Sequence, residues 1–290
     1  MTNLTGFVNI IKPTGMTSSD VVLRVKKILK TKKVGHLGTL DPAASGVLPI
    51  AVGRGTKFFD YFLNKNKEYI AIVKFGIETD TLDSFGNIAG KTNSVVTKDQ
   101  IENVLSKFIG TIKQVPPKYS AIKINGKKAC DLARDDVLFE IKPREITIFD
   151  IKLLKQIKEN MFMFKVNCSA GTYIRTLFSD IAYAVGNVST TPVIIRTKSG
   201  RFDIEKSITL DELEKTNKIT SIQENFQDIL TFEVNDYIAK KLINGVKVSV
   251  EELGEKLAEN QELFIKFDNK LIGFYNVKNG EILQLVYLFE

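Results

Sequence analysis

The glycine-rich segment of residues 35–55, GHLGTLDPAASGVLPIAVGRG, contains the side chains best suited to chemistry. It holds five glycines, two prolines, His36 (the only histidine of the chain) and a single carboxylate, Asp41. Glycine-rich backbone can approach a ligand closely, and Pro42 stiffens the turn directly after Asp41. An isolated aspartate before a proline is usually a turn residue or a helix cap, so its type alone does not identify a site.

The positive charge of the chain is concentrated around this segment. The net charge is +7, and residues 1–67 carry eleven Lys and Arg against three Asp, a balance of +8, whereas the other 223 residues sum to −1. Charge confined to one segment indicates a surface that meets a polyanion. A solvated, lysine-rich helix is the alternative interpretation.

The surroundings of Asp41 favour covalent catalysis on a nucleotide. A second acid is missing from the segment, so it does not fit an ordinary glycosidase pair. The sequence has no Cys/His/Asp cluster, and its two cysteines, Cys130 and Cys168, do not form a metal-ligand pattern. We therefore expect no metal. A single carboxylate in a basic, glycine-rich pocket suits nucleophilic attack.

The elements that position this segment are predicted from periodicity and caps. Helices are expected over residues 18–30 (capped by Ser18 or Ser19), 97–109 (with Thr97 and Gln100 as a capping box), 174–185 and 235–242. Strands are expected over residues 68–75, 146–154 and 162–169, and near the C-terminus around turns at Asp268-Asn269 and Asn279-Gly280. We predict an α+β fold, with a mostly antiparallel sheet in a catalytic domain of residues 1–230 and a small β-rich domain of residues 231–290.

The sequence lacks the features of a membrane or secreted protein. Charged residues interrupt every apolar stretch before it reaches the length of a bilayer span. The N-terminus has no basic stretch followed by an apolar one, as a secretion signal would have. We therefore expect a cytoplasmic protein with free thiols.

The segment GHLGTLDPAASGVLPIAVGRGTK resembles the signature motif of TruB-type pseudouridine synthases, in which the aspartate of G-H-x-G-x-L-D-P is the nucleophile. Five further segments match the family in order: KPTGMTSSDVV (12–22), NKEYIA (66–71), TDTLDSFG (79–86), PPKYSAIKINGKKACDLAR (116–134) and CSAGTYIRTL (168–177). The resemblance covers roughly residues 6–205. The C-terminal segment is similar to the RNA-binding, PUA-like domain of this family.

Three catalytic residues follow from the resemblance. It implies that Asp41 is the nucleophile, that Tyr69 contacts the flipped base, and that Arg175 pairs with Asp41. An arginine beside Asp41 would keep it ionised and aimed. Tyr69 offers an aromatic face for the uracil and a hydroxyl within reach of the C5 proton.

Four further residues are implied to bind the substrate. Tyr173 lines the uracil pocket, Ile194 contacts the base, His36 helps to hold the flipped-out nucleotide, and Lys12 belongs to the N-terminal motif. Because Tyr173 and Arg175 alternate along the chain, an extended segment would point both the same way.

Two positions depart from the family pattern. The family usually has Leu-Arg-Arg-Thr where this chain has Ile-Ile-Arg-Thr, so Ile195 replaces an arginine and one phosphate-facing charge is expected to be missing. Cys130 stands where a tyrosine is usual, which affects the packing or the RNA contact of its helix.

The resemblance implies a tRNA pseudouridine-55 synthase, an isomerase that acts on the T loop of tRNA. The reaction needs no metal, redox cofactor or energy source, and we expect a monomer without a protein partner. The carboxylate can add to C1′ of the ribose or to C6 of the uracil, and the sequence leaves both routes open. The uridine must leave its stack before either step.

Three alternatives stay open at this point. A non-catalytic RNA-binding or RNA-folding module could share the fold, but it would need no Asp41–Tyr69–Arg175 set. A nucleoside hydrolase would be expected to have a calcium-binding aspartate cluster near its N-terminus, which this sequence lacks. An archaeal or eukaryotic-like, guide-RNA-dependent relative is disfavoured by the modest C-terminal domain and the absence of basic tails.

Overall fold

The computed structural model describes residues 4–135 and 137–288. Within these residues the chain forms eighteen strands: β1 Gly6–Lys12, β2 Val34–His36, β3 Ser45–Val52, β4 Lys67–Phe75, β5 Ile77–Thr79, β6 Ile88–Lys91, β7 Gly110–Gln114, β8 Lys123–Ile124, β9 Lys127–Lys128, β10 Arg144–Lys158, β11 Met161–Cys168, β12 Ser189–Ser199, β13 Phe202–Asp203, β14 Leu230–Glu233, β15 Val248–Ser249, β16 Glu262–Phe267, β17 Lys270–Lys278 and β18 Glu281–Tyr287. The α-helices there are α1 Ser18–Ile28, α2 Phe59–Leu63, α3 Lys98–Leu105, α4 Ala129–Arg134, α5 Ile174–Ala184, α6 Leu210–Thr216, α7 Ile222–Asn225 and α8 Asp236–Ile243, and 3-10 turns cover Gly53–Phe58, Ser106–Phe108, Ile204–Lys206 and Glu251–Leu253.

A nine-stranded sheet forms the centre of the larger part of the molecule. Its order is β1-β3-β12-β4-β11-β10-β7, with β2 paired to β3 and β13 paired to β12. Every pairing is antiparallel except that of β3 with β12. The predicted α+β fold with a mostly antiparallel sheet is confirmed. Strand β12 lies between β3 and β4, so it is the neighbour of both strands that position the predicted site.

The strand predicted around Tyr69 is present as β4, and burial alternates from one of its residues to the next. Every second residue of β4, beginning with Lys67, is buried, and the residues between them are partly exposed. The sheet interior therefore receives Tyr69 on the same face as Lys67.

The predicted helices are confirmed, with small shifts at their ends. Thr17 caps α1 through a capping box with Asp20, rather than Ser18 or Ser19 as predicted. The capping box of Thr97 and Gln100 is present at α3. Helix α5 begins at Ile174, as predicted, so the argument that Tyr173 and Arg175 would point the same way from an extended segment does not apply.

The C-terminal residues form a second, five-stranded sheet, in the order β14-β16-β17-β18-β15. It begins at Leu230, and its two hairpins turn at Asp268-Asn269 and Asn279-Gly280, whose φ angles are all positive. Positive φ at both central residues is the type I′ geometry that matches strand twist. The predicted β-rich C-terminal part is therefore present.

A shared aromatic cluster joins the two sheets. Phe58 and Phe226 come from the larger part, and Phe264 and Phe274 come from β16 and β17. The ring centroids of Phe58 and Phe274 are 5.7 Å apart, and those of Phe226 and Phe264 are 5.4 Å apart. The C-terminal sheet therefore completes a core that the larger part begins.

Among the described residues, no helix has the length and apolar character to cross a membrane.

Candidate active site

The connection between β2 and β3 carries Asp41 and is fixed on both sides of it. The hydroxyl of Ser18 donates to the carbonyl of Leu40 (3.0 Å) and accepts from the Leu40 N–H (2.9 Å). The N–H of Gly15 donates to the carbonyl of Pro42 (2.8 Å). Asp41 is thus held between two anchored neighbours, while 35% of its side chain stays exposed.

Arg196 of β12 holds the rest of this connection. Its guanidinium donates to three backbone carbonyls: Nε to Val47 (2.8 Å), Nη1 to Thr39 (3.0 Å) and Nη2 to Gly38 (3.1 Å). The residue is only 1% exposed. Because bonds to charged donors are stronger than neutral ones, this buried arginine fixes the backbone just before Asp41.

Strands β3 and β12 approach closely at Gly46. Its φ is +103°, and a Cβ at this position would lie 2.3 Å from the carbonyl oxygen of Arg196. No side chain fits at that distance, so a glycine is required for β12 to lie beside β3 and deliver Arg196.

Arg175 connects Asp41 to the body of the protein. Its Nη2 donates to Oδ2 of Asp41 (2.6 Å) and to the carbonyl of Tyr119 (3.1 Å). Its Nη1 donates to the carbonyl of Thr81 (2.7 Å) and lies 3.4 Å from Oδ2 of Asp83. The arginine side chain is 4% exposed. One oxygen of Asp41 is therefore fixed, while its Oδ1 makes no hydrogen bond within the described residues.

A cavity of about 440 Å³ opens beside Asp41, and we name it the catalytic cavity. Tyr69, Tyr173, Arg175 and Ile194 line it together with Asp41. The structure thus brings five of the seven predicted site residues to one cavity. Its volume lies in the range of small-molecule sites, about 300–1,000 Å³.

Tyr69 forms a wall of this cavity. It lies opposite Arg196 in the β4–β12 pairing and is almost fully buried. Burial raises the pKa of Tyr69 to about 12, although the Arg196 charge acts in the opposite direction. The hydroxyl is therefore protonated at neutral pH, when it can donate a hydrogen bond to a base.

Tyr173 precedes α5 and is held through its backbone. Its N–H donates to Oε1 of Gln114 (2.8 Å), and its carbonyl accepts from Nε2 of the same glutamine (3.1 Å). Gln114 is the last residue of β7 and is buried. Burial raises the pKa of the Tyr173 hydroxyl. The paired amide bonds hold Tyr173 in the cavity wall.

His36 lines a second cavity instead of the catalytic one. This cavity measures about 610 Å³ and shares Asp41 and Arg175 with the first. Phe85 and Cys130 also line it, so the position that departs from the family pattern faces this space. Burial, assisted by the Arg196 charge, lowers the pKa of His36. The imidazole is therefore more readily neutral than an exposed histidine.

Lys12 lies behind the Asp41 connection rather than in a cavity. It is fully buried, and its Nζ donates to the carbonyls of Met16 (2.7 Å), Pro13 (2.8 Å) and Pro42 (3.5 Å). Burial lowers the pKa of Lys12 to about 8, although Asp41 acts in the opposite direction. The predicted direct contact between Lys12 and substrate does not fit this position, because its ammonium is used to hold the backbone around Asp41.

Among the described residues, no three His, Cys, Asp or Glu side chains are placed together to hold a metal ion. The catalytic cavity instead is lined by one carboxylate, two buried arginines (Arg175 and Arg196) and two tyrosines. Such a set can supply a nucleophile, hold it in one orientation and present aromatic faces to a base.

Comparisons with known proteins identify the family of this chain. The family model for the N-terminal domain of TruB family pseudouridylate synthases matches residues 26–174. A protein named tRNA pseudouridine synthase B from Clostridium tetani is 41% identical over 274 residues, which are 93% of this chain and 94% of the relative. Its namesake from Clostridium kluyveri is 42% identical over 98% of this chain and 99% of the relative. The chain belongs to the TruB family of pseudouridylate synthases.

Solved structures show the same fold. A chain of a Cbf5-Nop10-Gar1 complex aligns with a TM-score of 0.70 at 26% identity, covering 98% of this chain and 84% of that chain. A chain of an H/ACA RNP bound to a substrate RNA containing 2′-deoxyuridine aligns with a TM-score of 0.69 at 24% identity, covering the same shares. The likeness in fold therefore covers 98% of this chain and includes both the nine-stranded and the five-stranded sheet.

Two residues at this site, Arg196 and Asp83, were not predicted from the sequence. Arg196 stands next to the departure at Ile195, yet its partners are backbone carbonyls, which leave no charge pattern in a sequence. Asp83 lies within the matching segment TDTLDSFG, and its proximity to Arg175 is the only feature that reveals its role.

Proposed function

We propose that this enzyme converts uridine 55 in the T loop of tRNA into pseudouridine, with Asp41 as the nucleophile. The observation that carries the proposal is the 2.6 Å ion pair of Asp41 with buried Arg175 beside a cavity lined by Tyr69. Relatives that are 41–42% identical over nearly the whole chain are named tRNA pseudouridine synthases, which supports tRNA as the substrate.

The reaction is an isomerisation, so its atoms balance without a second substrate. The Asp41 carboxylate forms a bond to C1′ of the ribose or to C6 of the uracil, and the N1–C1′ bond breaks. The uracil turns within the cavity and C5 bonds to C1′. On the C1′ route the bond to Asp41 breaks as the C5–C1′ bond forms, and on the C6 route it breaks afterwards; in both, C5 loses its proton and N1 gains one. Covalent attachment divides one difficult exchange into smaller steps.

The cavity residues have complementary roles in this proposal. The Tyr69 ring stacks on the uracil, and its hydroxyl takes part in moving the C5 proton. Since the hydroxyl is protonated at neutral pH, it must pass on its own proton as it accepts another. Tyr173 and Ile194 confine the base so that it turns without leaving.

The flipped nucleotide lies between the two cavities. His36 in the second cavity holds the RNA beside the uridine that enters the catalytic cavity. Flipping costs a few kcal/mol, which contacts of the basic surface with phosphate offset. Residues 1–230 form the catalytic domain, and residues 231–290 form a PUA-like domain that contributes to tRNA binding.

The T arm of tRNA is the only partner that the proposal requires. The enzyme acts as a monomer in the cytoplasm, where its substrate is, and uses neither metal nor cofactor. An intact set of Asp41, Tyr69 and Arg175 favours an enzyme over a pure RNA-binding module, which would not need an aimed nucleophile.

Incubation with an unmodified tRNA transcript tests the proposal. Pseudouridine is mapped at single-nucleotide resolution, and we expect product at position 55 and none with a transcript in which cytidine replaces that uridine. The nearly isosteric Asp41→Asn variant should bind tRNA within a few-fold of wild type and form no product. Turnover by Asp41→Asn within tenfold of wild type, or product only at other positions, would contradict the proposal.

A further inference from the structure

A third depression lies outside the two cavities that contain Asp41. It measures about 330 Å³ and is lined by residues 32–37 together with Ala51, Thr56 and Phe59. We name it the Phe59 groove and define it by Lys32, Lys33, His36 and Phe59. It combines an aromatic surface, positive charge and a direct connection to the second cavity.

The aromatic surface comes from the beginning of α2. Phe58 and Phe62 are buried in the aromatic cluster, whereas Phe59 between them is 40% exposed and faces the groove. Single exposed apolar residues are common and need no explanation on their own. Phe59, however, shares the groove with two lysines and a histidine, which are side chains that can bind RNA.

Two cations line the groove together with this ring. Lys32 and Lys33 are exposed, and within the described residues neither forms an ion pair. The carbonyl of Lys33 accepts from the N–H of Gly53 (2.8 Å), which ties the lysine segment to the end of β3. A fixed backbone with two unpaired lysines next to an exposed ring has the features of a site for a nucleotide phosphate and base.

His36 connects the groove to the proposed site. It lines both the Phe59 groove and the second cavity, and the latter contains Asp41. Its buried Nδ1 has no partner among the described residues. An RNA strand that passes His36 on leaving the flipped uridine therefore enters the groove.

We propose that the Phe59 groove binds one nucleotide of the substrate tRNA next to the flipped uridine, with its base stacked on Phe59 and its phosphate bound by Lys32 and Lys33. This inference rests on the proposed function, because that function supplies the RNA. The groove determines how firmly and in which register the T loop is held, and it takes no part in bond exchange.

Equilibrium affinity for an unmodified tRNA transcript tests the groove in an Asp41→Asn background, where turnover does not interfere. A base stacked on an aromatic side chain contributes about 1–3 kcal/mol, so Phe59→Ala should weaken binding by roughly 5- to 150-fold. Phe59→Tyr keeps the ring and should bind nearly as wild type. Lys32→Gln with Lys33→Gln should flatten the log–log salt dependence by about 0.7–0.9 for each phosphate that the lysines no longer bind. Lys107→Gln with Lys155→Gln is the control for two lysines outside the groove.

Abasic substitutions along the T arm complete a double-mutant cycle with Phe59→Ala. At the nucleotide whose base stacks on Phe59, the protein substitution should cost no additional affinity, whereas elsewhere the two losses should add. Additive losses of affinity at every position would contradict the proposed role of the groove. So would a Phe59→Ala variant with wild-type affinity and a wild-type melting temperature. Pseudouridine formation by the wild-type protein is read separately, so a failed groove and a failed function give different results.

Discussion

Asp41 and Asp83 contact the same guanidinium group, that of Arg175, at different depths. Nη2 of the arginine lies 2.6 Å from Asp41, and Nη1 lies 3.4 Å from Asp83. Asp83 is buried, and its Oδ1 accepts from the Thr81 hydroxyl (2.7 Å) and the Phe85 N–H (3.0 Å). The buried carboxylate therefore fixes the arginine, which in turn aims the exposed carboxylate at the cavity.

Asp83→Asn should slow chemistry more than it weakens RNA binding. The substitution removes the buried negative charge and leaves Arg175 to interact with Asp41 alone, which makes that carboxylate a poorer nucleophile. We expect the single-turnover rate at saturating tRNA to fall about tenfold or more, the effect of roughly 1.4 kcal/mol in the barrier. An unchanged rate together with a lowered melting temperature would restrict Asp83 to folding.

Two substitutions separate the ring of Tyr69 from its hydroxyl. Tyr69→Phe keeps the aromatic face and should bind tRNA as wild type, but its single-turnover rate should fall by about 10²–10⁴, the usual effect of losing a general acid or base. Tyr69→Leu should lose affinity as well. Melting curves on both variants provide the control. A Phe variant with wild-type turnover would leave Tyr69 with stacking or packing alone.

The part of the site that the sequence could predict is the part that lies in motifs resembling the family. Asp41 is the single acid of the glycine-rich signature segment and Tyr69 lies in the segment NKEYIA, so the resemblance assigned both before their neighbours were known. Arg196 and Asp83 were not assigned, because backbone carbonyls 149–158 residues away and an arginine on another element define their roles.

Burial is the property that short-range patterns describe least well. A lysine in a motif is normally expected at the surface, yet Lys12 is fully buried behind Asp41. The alternation of β16 and β17 predicts strands, but it does not identify what covers Phe264 and Phe274. Their partner, Phe58, lies more than two hundred residues earlier in the chain.

Buried lysines should give the stability of the protein a rising pH dependence above pH 8. Burial lowers the pKa of Lys12 and of Lys67 from 10.5 to about 8. Between about pH 8 and 10.5 the unfolded chain binds more protons at these residues than the folded one, so the free energy of unfolding contributed by them increases with pH. Below pH 8 the two lysines are protonated in both the folded and the unfolded chain, so the full cost of burying their charges reduces the stability of the folded state.

Lys12→Met should remove the contribution of that lysine to this slope. Urea unfolding at several pH values between 7 and 10 measures the difference between the variant and wild type, in which the other titrating groups cancel. The free energy of unfolding of the variant, relative to that of wild type, should be highest at the low end of this range and should fall as the pH rises. A difference that does not change with pH would contradict the lowered pKa.

Two glycines with nearly equal φ angles distinguish backbone strain from steric exclusion. Gly46 has a φ of +103° and Gly110 a φ of +99°, but only Gly46 faces backbone, with the Arg196 carbonyl 2.3 Å from a hypothetical Cβ. Gly110→Ala should cost about 1–3 kcal/mol of stability from strain alone. Gly46→Ala should cost more and also slow turnover, because β12 must move and carry Arg196 with it. Equal losses of stability for the two variants, in chemical unfolding, would contradict the steric argument.

The C-terminal sheet should be necessary for the stability of the catalytic part, beyond any contribution to RNA binding. Removing residues 229–290 deletes Phe264 and Phe274 from the aromatic cluster and exposes Phe58 and Phe226. Truncating a single buried phenylalanine typically costs about 3–5 kcal/mol, against a total stability of about 5–15 kcal/mol for a domain. We therefore expect the truncated chain to aggregate or unfold at 37 °C, so it is unsuitable for assigning RNA binding to this sheet.

Adjacent residues of β17 offer a finer test of the same coupling. Phe274 packs in the aromatic cluster, whereas Tyr275 points to the opposite face and packs in the separate core of the C-terminal part. Phe274→Ala should lower the hydrogen-exchange protection of β1 and β3 in the larger sheet, because Phe7 and Val47 of those strands belong to the same cluster. Tyr275→Ala should reduce protection mainly in β16 to β18. Equal loss of protection in β1 and β3 for both variants, or none for Phe274→Ala, would show that the cluster does not transmit stability between the two sheets.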